Sequence, residues 1–190
     1  CKIPVRIPTK GIILRIPRTR PITTPITICI ITLTTNAVTS FFSLKEYGKK
    51  ATDIKYIINT HWHWDHTEAT AALAELSGAK TLLGRWDEEK AKRYFTPDML
   101  LKDGDSLTLG NTTITFLETP GHTKGTISLF FHTEEDGKAY RVGMFGGAGA
   151  NTLRKDAFDF DGCREAYRES VHRLQKEQVD VFIGNHTWNN

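Results

Sequence analysis

Residues 60–66 constrain this chain more than any other stretch, because three histidines and one aspartate fall within them. The segment is Thr-His-Trp-His-Trp-Asp-His, and it follows an apolar run at residues 54–59 that predicts a buried strand. In an extended segment His61, His63 and Asp65 would project to one side, and a bend after them would bring in His66. Imidazole and carboxylate groups clustered in this way are typical metal ligands. We therefore predict a divalent-metal site here rather than a histidine-rich surface turn.

Two further segments place a histidine in a short loop after a predicted strand. Residues 119–125 are Thr-Pro-Gly-His-Thr-Lys-Gly and contain His122, and residues 180–186 are Asp-Val-Phe-Ile-Gly-Asn-His and end in His186. These three segments, in this order, resemble the signature of the metallo-β-lactamase superfamily of metal-dependent hydrolases.

The resemblance implies two neighbouring zinc sites, and therefore two Zn²⁺ ions per chain. Their implied ligands form two groups of three: His61, His63 and His122 in the first, and Asp65, His66 and His186 in the second. The first group would leave a fourth position for water. The resemblance also gives Asp65 a catalytic role, because its carboxylate would orient the nucleophile as well as hold the second ion.

The segment before the last motif narrows the implied activity. Thioester hydrolases of the glyoxalase II group usually carry a bridging aspartate there, in a Gly-Asp pattern. In this chain residues 144–151 are Met-Phe-Gly-Gly-Ala-Gly-Ala-Asn, without a carboxylate or a thiol. This segment resembles that of the third subclass of metallo-β-lactamases. The implied function is a zinc-dependent, β-lactamase-like hydrolase that opens a cyclic amide by attack of a metal-bound hydroxide.

Two alternative functions stay open at this point. The same ligands would serve a hydrolase of lactones, thioesters or other small esters. A non-catalytic metal-binding fragment is the other alternative, because the first forty residues are unusual and the chain ends four residues after His186. The motif also continues into Thr67 and Glu68 where the family has a glycine pair, so we expect the following helix to begin differently. Trp62 and Trp64 are expected to face away from the metals and pack.

The fold class indicated by the remaining pattern is α/β, and the resemblance implies an αββα sandwich. Predicted strands lie at residues 54–59, 81–83, 106–109, 113–117, 127–131, 140–145 and 179–183. Predicted helices lie at residues 68–76, 87–94 and 162–178, the first ending at Gly78 and the second exposed and charged.

Residues 1–40 are predicted to be an atypical basic extension rich in Pro, Thr and Ile. Five prolines interrupt this segment, and proline disfavours both helices and central strands. We expect the hydrolase domain at residues 41–190, with the N-terminal edge of its first sheet incomplete and its C-terminal end truncated.

Composition limits the expected partners. The segment 1–40 holds six basic residues and no acid, so the overall charge of +3 leaves −3 for residues 41–190, and we expect no nucleic-acid surface. No run approaches the roughly twenty apolar residues that span a membrane, and the expected partner is a small-molecule substrate.

Cys1, Cys29 and Cys163 have no metal or redox spacing, and their odd number argues against a closed disulfide framework. The resemblance implies a secreted or periplasmic location, but the N-terminal segment has no convincing signal-peptide pattern, so the sequence leaves the location open.

Overall fold

A computed structural model describes residues 49–186 and the backbone of two N-terminal strands. The described strands form two five-stranded sheets. The first contains, in spatial order, β1 (Ile12–Arg15), β2 (Thr27–Ile31), β3 (Ile54–Asn59), β4 (Lys80–Gly84) and β5 (Met99–Leu101). The second contains β10 (Val181–Ile183), β9 (Lys138–Met144), β8 (Ile127–Glu135), β7 (Thr112–Glu118) and β6 (Ser106–Leu109). The described α-helices are α1 (Trp64–Thr67), α2 (Thr70–Ser77), α3 (Glu88–Ala91) and α4 (Cys163–Leu174).

The main hydrophobic core lies between the two sheets. Ile58 and Leu82 of the first sheet belong to one buried cluster with Phe116 and Leu129 of the second. In the hairpin of β6 and β7 the buried residues alternate with exposed ones, as expected for a sheet with one covered face. β3 is covered on both faces, because Ile57 packs in a second cluster with Leu73 of α2. Two facing sheets with helices are the α/β architecture that the sequence predicts.

The ends of several strands meet at one edge of the sandwich. The pairs β2–β3, β3–β4 and β4–β5 of the first sheet are parallel, and so is the pair β9–β10 of the second. The backbone N–H of Ile127 donates to the carbonyl oxygen of Thr60 at 2.9 Å and links the start of β8 to the loop after β3. This edge therefore brings together loops that are far apart in sequence.

Helix boundaries differ from the prediction by a few residues. α2 begins at Thr70, whose hydroxyl donates to Asn59 Oδ1 at 2.7 Å, and it ends before Gly78, which has the predicted role with φ of 71°. α3 is much shorter than the predicted helix at residues 87–94. Asp87 was expected on the surface, yet it is fully buried.

The N-terminal segment supplies two strands that the sequence pattern did not predict. β1 pairs antiparallel with β2, and β2 pairs parallel with β3. These two strands lie at the N-terminal edge of the first sheet, which was expected to be incomplete. Its prolines dominate the local pattern, but Pro8, Pro17, Pro21 and Pro25 all fall outside the two strands, which are rich in isoleucine and threonine.

None of the helices in the described ranges has both the length and the apolar character needed to cross a bilayer.

Candidate metal centre

The first histidine motif turns from a strand into a helix. β3 ends at Asn59, and the chain passes through His61 and His63 before α1 begins at Trp64. Thr67 fixes this turn, because its hydroxyl donates to the carbonyl oxygens of Trp62 at 3.1 Å and His63 at 2.9 Å. The expectation of one extended segment carrying Asp65 was wrong. Asp65 and His66 reach the site because the helical turn of α1 directs the chain back toward His61 and His63.

The three predicted ligands of the first site lie together. Nδ1 of His63 is 3.0 Å from Nε2 of His122, close enough for a proton or a metal ion to lie between them. The ring of His61 is completely buried, and its centroid is 4.5 Å from that of His122. One ligand atom from each of these residues falls within 4.8 Å of the others.

The three predicted ligands of the second site also lie together. Nε2 of His66 is 3.2 Å from Nε2 of His186, and Oδ2 of Asp65 is 3.3 Å and 3.6 Å from these two nitrogens. The two groups adjoin, because the ring centroids of His61 and His66 are 4.0 Å apart. All six predicted ligand residues thus form one cluster, while their roles as ligands stay predictions.

Backbone carbonyls orient two rings of the first group. Nδ1 of His61 donates to the carbonyl oxygen of Gly146 at 3.0 Å, and Nδ1 of His122 donates to that of Gly149 at 2.7 Å. A donor at Nδ1 leaves the lone pair on Nε2, which is the usual arrangement behind a metal-ligating histidine. Nε2 of His61 is buried and has no hydrogen-bond partner within the described residues. A buried polar atom of this kind fits a metal ion.

Burial and mutual repulsion favour the protonation states that metal ligands need. Burial lowers the pKa of His61 well below its ordinary value, and the neighbouring histidines lower it further. Burial, followed by the charge of His122, lowers the pKa of His63 to about 4. Burial likewise lowers the pKa values of His122 and His186. Neutral imidazoles with accessible lone pairs therefore predominate at pH 7.

Asp65 supplies the negative charge of the cluster. Burial raises the pKa of its carboxyl group, but the hydrogen bond and the charge of His66 outweigh burial, so the pKa lies below its ordinary value. Asp65 is therefore ionised at neutral pH. An ionised carboxylate beside two imidazoles matches the preference of zinc for nitrogen and oxygen ligands.

A cavity of about 520 Å³ opens onto both groups. From the ligand groups, His63, His122, Asp65 and His186 line it, and the other lining residues are Ala148, Gly149, Ala150, Asn151 and Asn185. In the described part of the chain, Asp65 is the only carboxylate that lines this cavity. The volume suits a small molecule.

Some residues around the cluster escaped the sequence prediction. Asn185 is buried, and its Nδ2 donates to the carbonyl oxygen of Gly146 at 2.7 Å, so one carbonyl holds both Asn185 and His61. A side chain at Gly146 would place Cβ 1.9 Å from the carbonyl oxygen of Ile127. The pair Gly146-Gly147 was the available sequence signal for this close approach. Of the two tryptophans, Trp62 packs as expected against Leu83 and its neighbours, while Trp64 is 56% exposed, contrary to the packing role predicted for it.

Comparison with known proteins agrees with this geometry. The model of the metallo-beta-lactamase superfamily matches residues 32–136. Hydroxyacylglutathione hydrolase of Hyphomonas neptunium is 31% identical over 133 residues, which are 70% of this chain and 48% of that protein. A second hydroxyacylglutathione hydrolase, from Cereibacter sphaeroides, is 32% identical over 67% of this chain and 46% of its own length. The chain spans about half the length of these curated relatives.

Solved structures of metallo-beta-lactamases are also similar to this chain. FEZ-1 metallo-beta-lactamase from Legionella gormanii has a TM-score of 0.77 and 27% identity, covering 88% of this chain and 72% of FEZ-1. BJP-1, a subclass B3 metallo-beta-lactamase of Bradyrhizobium japonicum, has a TM-score of 0.73 and 26% identity, covering 83% and 66%. The chain belongs to the metallo-beta-lactamase superfamily. The predicted superfamily, its fold and the likeness to the third subclass are confirmed.

Proposed function

We propose that this chain is a zinc-dependent hydrolase that holds two zinc ions and opens the ring of a β-lactam. The observation that carries the proposal is the pair of adjoining three-residue groups, members of both of which line a cavity of about 520 Å³. One group offers three imidazole nitrogens, and the other offers two imidazole nitrogens and a carboxylate oxygen. The proposed substrate is a small molecule that enters this cavity.

Zinc bound at these positions would polarise the carbonyl oxygen of a substrate and lower the pKa of a coordinated water. The protein contributes orientation. The carbonyl oxygens of Gly146 and Gly149 fix the rings of His61 and His122 through their Nδ1 atoms. Asp65 faces the cavity with its carboxylate ionised, so it is placed to accept a hydrogen bond from the attacking water and to orient it.

The wall of the cavity supports a β-lactam more than a thioester. Gly146 and Gly147 stand where glyoxalase II enzymes usually carry a bridging aspartate, and the neighbouring wall residues have no acidic side chain. The second ion would therefore depend on Asp65, His66 and His186. FEZ-1 and BJP-1, which carry the name metallo-beta-lactamase, add support through their structural likeness.

Hydrolysis of a hydroxyacylglutathione thioester is the second candidate. It is favoured by the names of the curated relatives, several of which are hydroxyacylglutathione hydrolases. Both reactions attack a carbonyl carbon, so the same two ligand groups would serve either.

The two candidates separate in a direct assay of the zinc-loaded protein. A chromogenic cephalosporin and a hydroxyacylglutathione thioester are offered in parallel, each with and without a chelator. We expect cephalosporin hydrolysis that the chelator abolishes and added zinc restores. Hydrolysis of the thioester alone would replace the first candidate with the second, and no zinc-dependent hydrolysis of either would contradict both.

A matched pair of histidine variants ties the activity to the cluster. His122→Ala removes one imidazole of the first group, and we expect the rate to fall by roughly a hundredfold or more. His132→Ala removes an exposed histidine of β8 and is expected to leave the rate unchanged. Equal rates in both variants would contradict the assignment of His122.

A further inference from the structure

Two loops that carry the ligands of the first group are joined by buried carboxylates outside the cluster. One loop contains Trp62, which lies between His61 and His63. The other is residues 123–125, which follow His122 directly. Asp87, at the end of a 3-10 turn after β4, and Asp159, which precedes α4, both accept hydrogen bonds from these two loops.

Asp87 is fully buried, and three donors converge on it. Its Oδ2 accepts from the backbone N–H of Trp62 at 3.0 Å and from the hydroxyl of Thr123 at 2.6 Å. Its Oδ1 accepts from the backbone N–H of Gly125 at 2.7 Å. No Lys or Arg of the described residues forms an ion pair with Asp87, so its carboxylate depends on these donors. One side chain thus fixes the spacing between the two loops.

Asp159 repeats the same bridge with different atoms. Its Oδ1 accepts from the indole Nε1 of Trp62 at 3.0 Å, and its Oδ2 accepts from the backbone N–H of Lys124 at 3.1 Å. Its side chain is 3% exposed, and Nζ of Lys90 lies 2.6 Å from Oδ1. The two carboxylates therefore hold both the backbone and the side chain of Trp62, and they hold neighbouring amides of the second loop.

Glycines allow the loops and Asp87 to approach this closely. A Cβ atom at Gly84 would lie 1.9 Å from the carbonyl oxygen of Gly125, and one at Gly125 would lie 2.6 Å from Cγ of Asp87. The end of β4 and the loop after His122 are therefore in direct backbone contact. Small displacements of Asp87 would be transmitted to this loop because no flexible side chain separates them.

We propose that Asp87 and Asp159 form a carboxylate clamp that positions His61, His63 and His122 for the first metal ion. Both are positioning residues, since neither carboxylate belongs to the ligand groups. Hydrogen-bonded partners behind the ligands commonly determine metal affinity. The inference rests on the proposed function only in taking these imidazoles as metal ligands.

The test measures zinc affinity in the full chain by competition with a chromophoric chelator. Asp87→Asn and Asp159→Asn each replace one carboxylate oxygen, a hydrogen-bond acceptor, by an NH2 group. That NH2 group would face a donor that the carboxylate now accepts from. Trp62→Phe keeps an aromatic side chain but removes the indole donor to Asp159. Asp156→Asn is the matched control, because Asp156 is three residues from Asp159 but is exposed and paired with Arg154.

We expect Asp87→Asn and Asp159→Asn each to weaken the first zinc by roughly 10- to 100-fold. Trp62→Phe should weaken it less, and Asp156→Asn should leave it unchanged. The absorption spectrum of the cobalt-substituted protein should change in the first three variants only, because the geometry around the ion changes. If Asp87→Asn does not fold, Asp159→Asn and Trp62→Phe decide the question.

Wild-type zinc affinity and a wild-type cobalt spectrum in the folded variants would overturn the clamp. A merely structural role is also an overturning result, and it would show as lower stability of the metal-free protein with unchanged zinc affinity. Failure of the wild-type protein itself to bind zinc would contradict the proposed function, whereas the ratio of variant to wild-type affinity tests the clamp.

Discussion

The buried carboxyl group of Asp87 makes the stability of the metal-free protein depend on pH. Burial raises its pKa from 3.8 to about 6, and the hydrogen bonds from Thr123, Gly125 and Trp62 offset only part of that rise. The perturbation is Asp87→Asn, which removes the titration and keeps the size of the side chain. The comparison of wild-type and variant proteins then isolates this one group.

The size of the effect follows from the difference in pKa between the folded and unfolded chains. The folded state binds the proton more tightly, so the contribution of Asp87 is fully present below pH 3.8 and is lost as the pH rises through about 6. A difference of about two units corresponds to about 3 kcal/mol. The free energy of unfolding of the wild type, relative to the variant, should therefore fall by about 3 kcal/mol across this window.

The buried histidines change the free energy of unfolding with pH in the opposite direction. Their contribution cancels when the variant is subtracted from the wild type. The pKa values of His61 and His63 are lowered in the folded state, so their contribution is present above the ordinary value of 6.5 and is lost as the pH falls. Both proteins share this contribution. Urea unfolding in the presence of a chelator, repeated across the pH range, gives the difference directly. A difference that is independent of pH, or that grows as the pH rises, would refute the reasoning.

Three other perturbations test separate parts of the structure. His66→Ala should reduce zinc from two ions per chain to one by elemental analysis, since it removes a nitrogen of the second group; two ions in the variant would contradict that grouping. Gly146→Ala should lower the free energy of unfolding by about 3 kcal/mol or more in urea denaturation, because its Cβ would meet the carbonyl oxygen of Ile127 at 1.9 Å; wild-type stability would contradict this packing. Deletion of residues 1–36 should destabilise the fold, because it removes β1 and β2 and leaves β3 with β4 as its one remaining partner strand in the described sheet; an unchanged midpoint in thermal unfolding would show that these strands contribute little.

The ligand cluster could be predicted because each of its histidines follows a recognisable local pattern. His61, His122 and His186 all come shortly after a predicted strand, and strand ends that meet at one edge bring such loops together. The conformation of the chain around Asp65 was less predictable. Asp65 was expected on an extended segment, but the hydroxyl of Thr67 bonds back to the carbonyls of Trp62 and His63 and stabilises the turn of α1.

The N-terminal strands were not predicted because the prolines dominate the local sequence pattern and the pairing between strands leaves no local signal. Prolines at five positions indicate an interrupted segment, and the short stretches between them carry too little pattern to predict strands. β2 acquires its place from its parallel pairing with β3, where Cys29 lies opposite Ile57 in the register. A partner so distant in sequence leaves no periodic signal in a five-residue strand. Strand pairing, unlike strand propensity, is a property of the assembled sheet.

Asp87 and Asp159 escaped prediction for a related reason. Asp87 begins the acidic run Asp-Glu-Glu, which is typical of an exposed helix, and Asp159 lies among phenylalanines without any metal-ligand spacing. Whether a carboxylate is buried depends on the donors that it meets, and these come from segments 25 to 97 residues away. A metal-binding motif is a local pattern, whereas the groups that hold two motifs in register are defined only by the fold. In this chain those groups are the two buried carboxylates that accept hydrogen bonds from amides beside the ligands of both motifs.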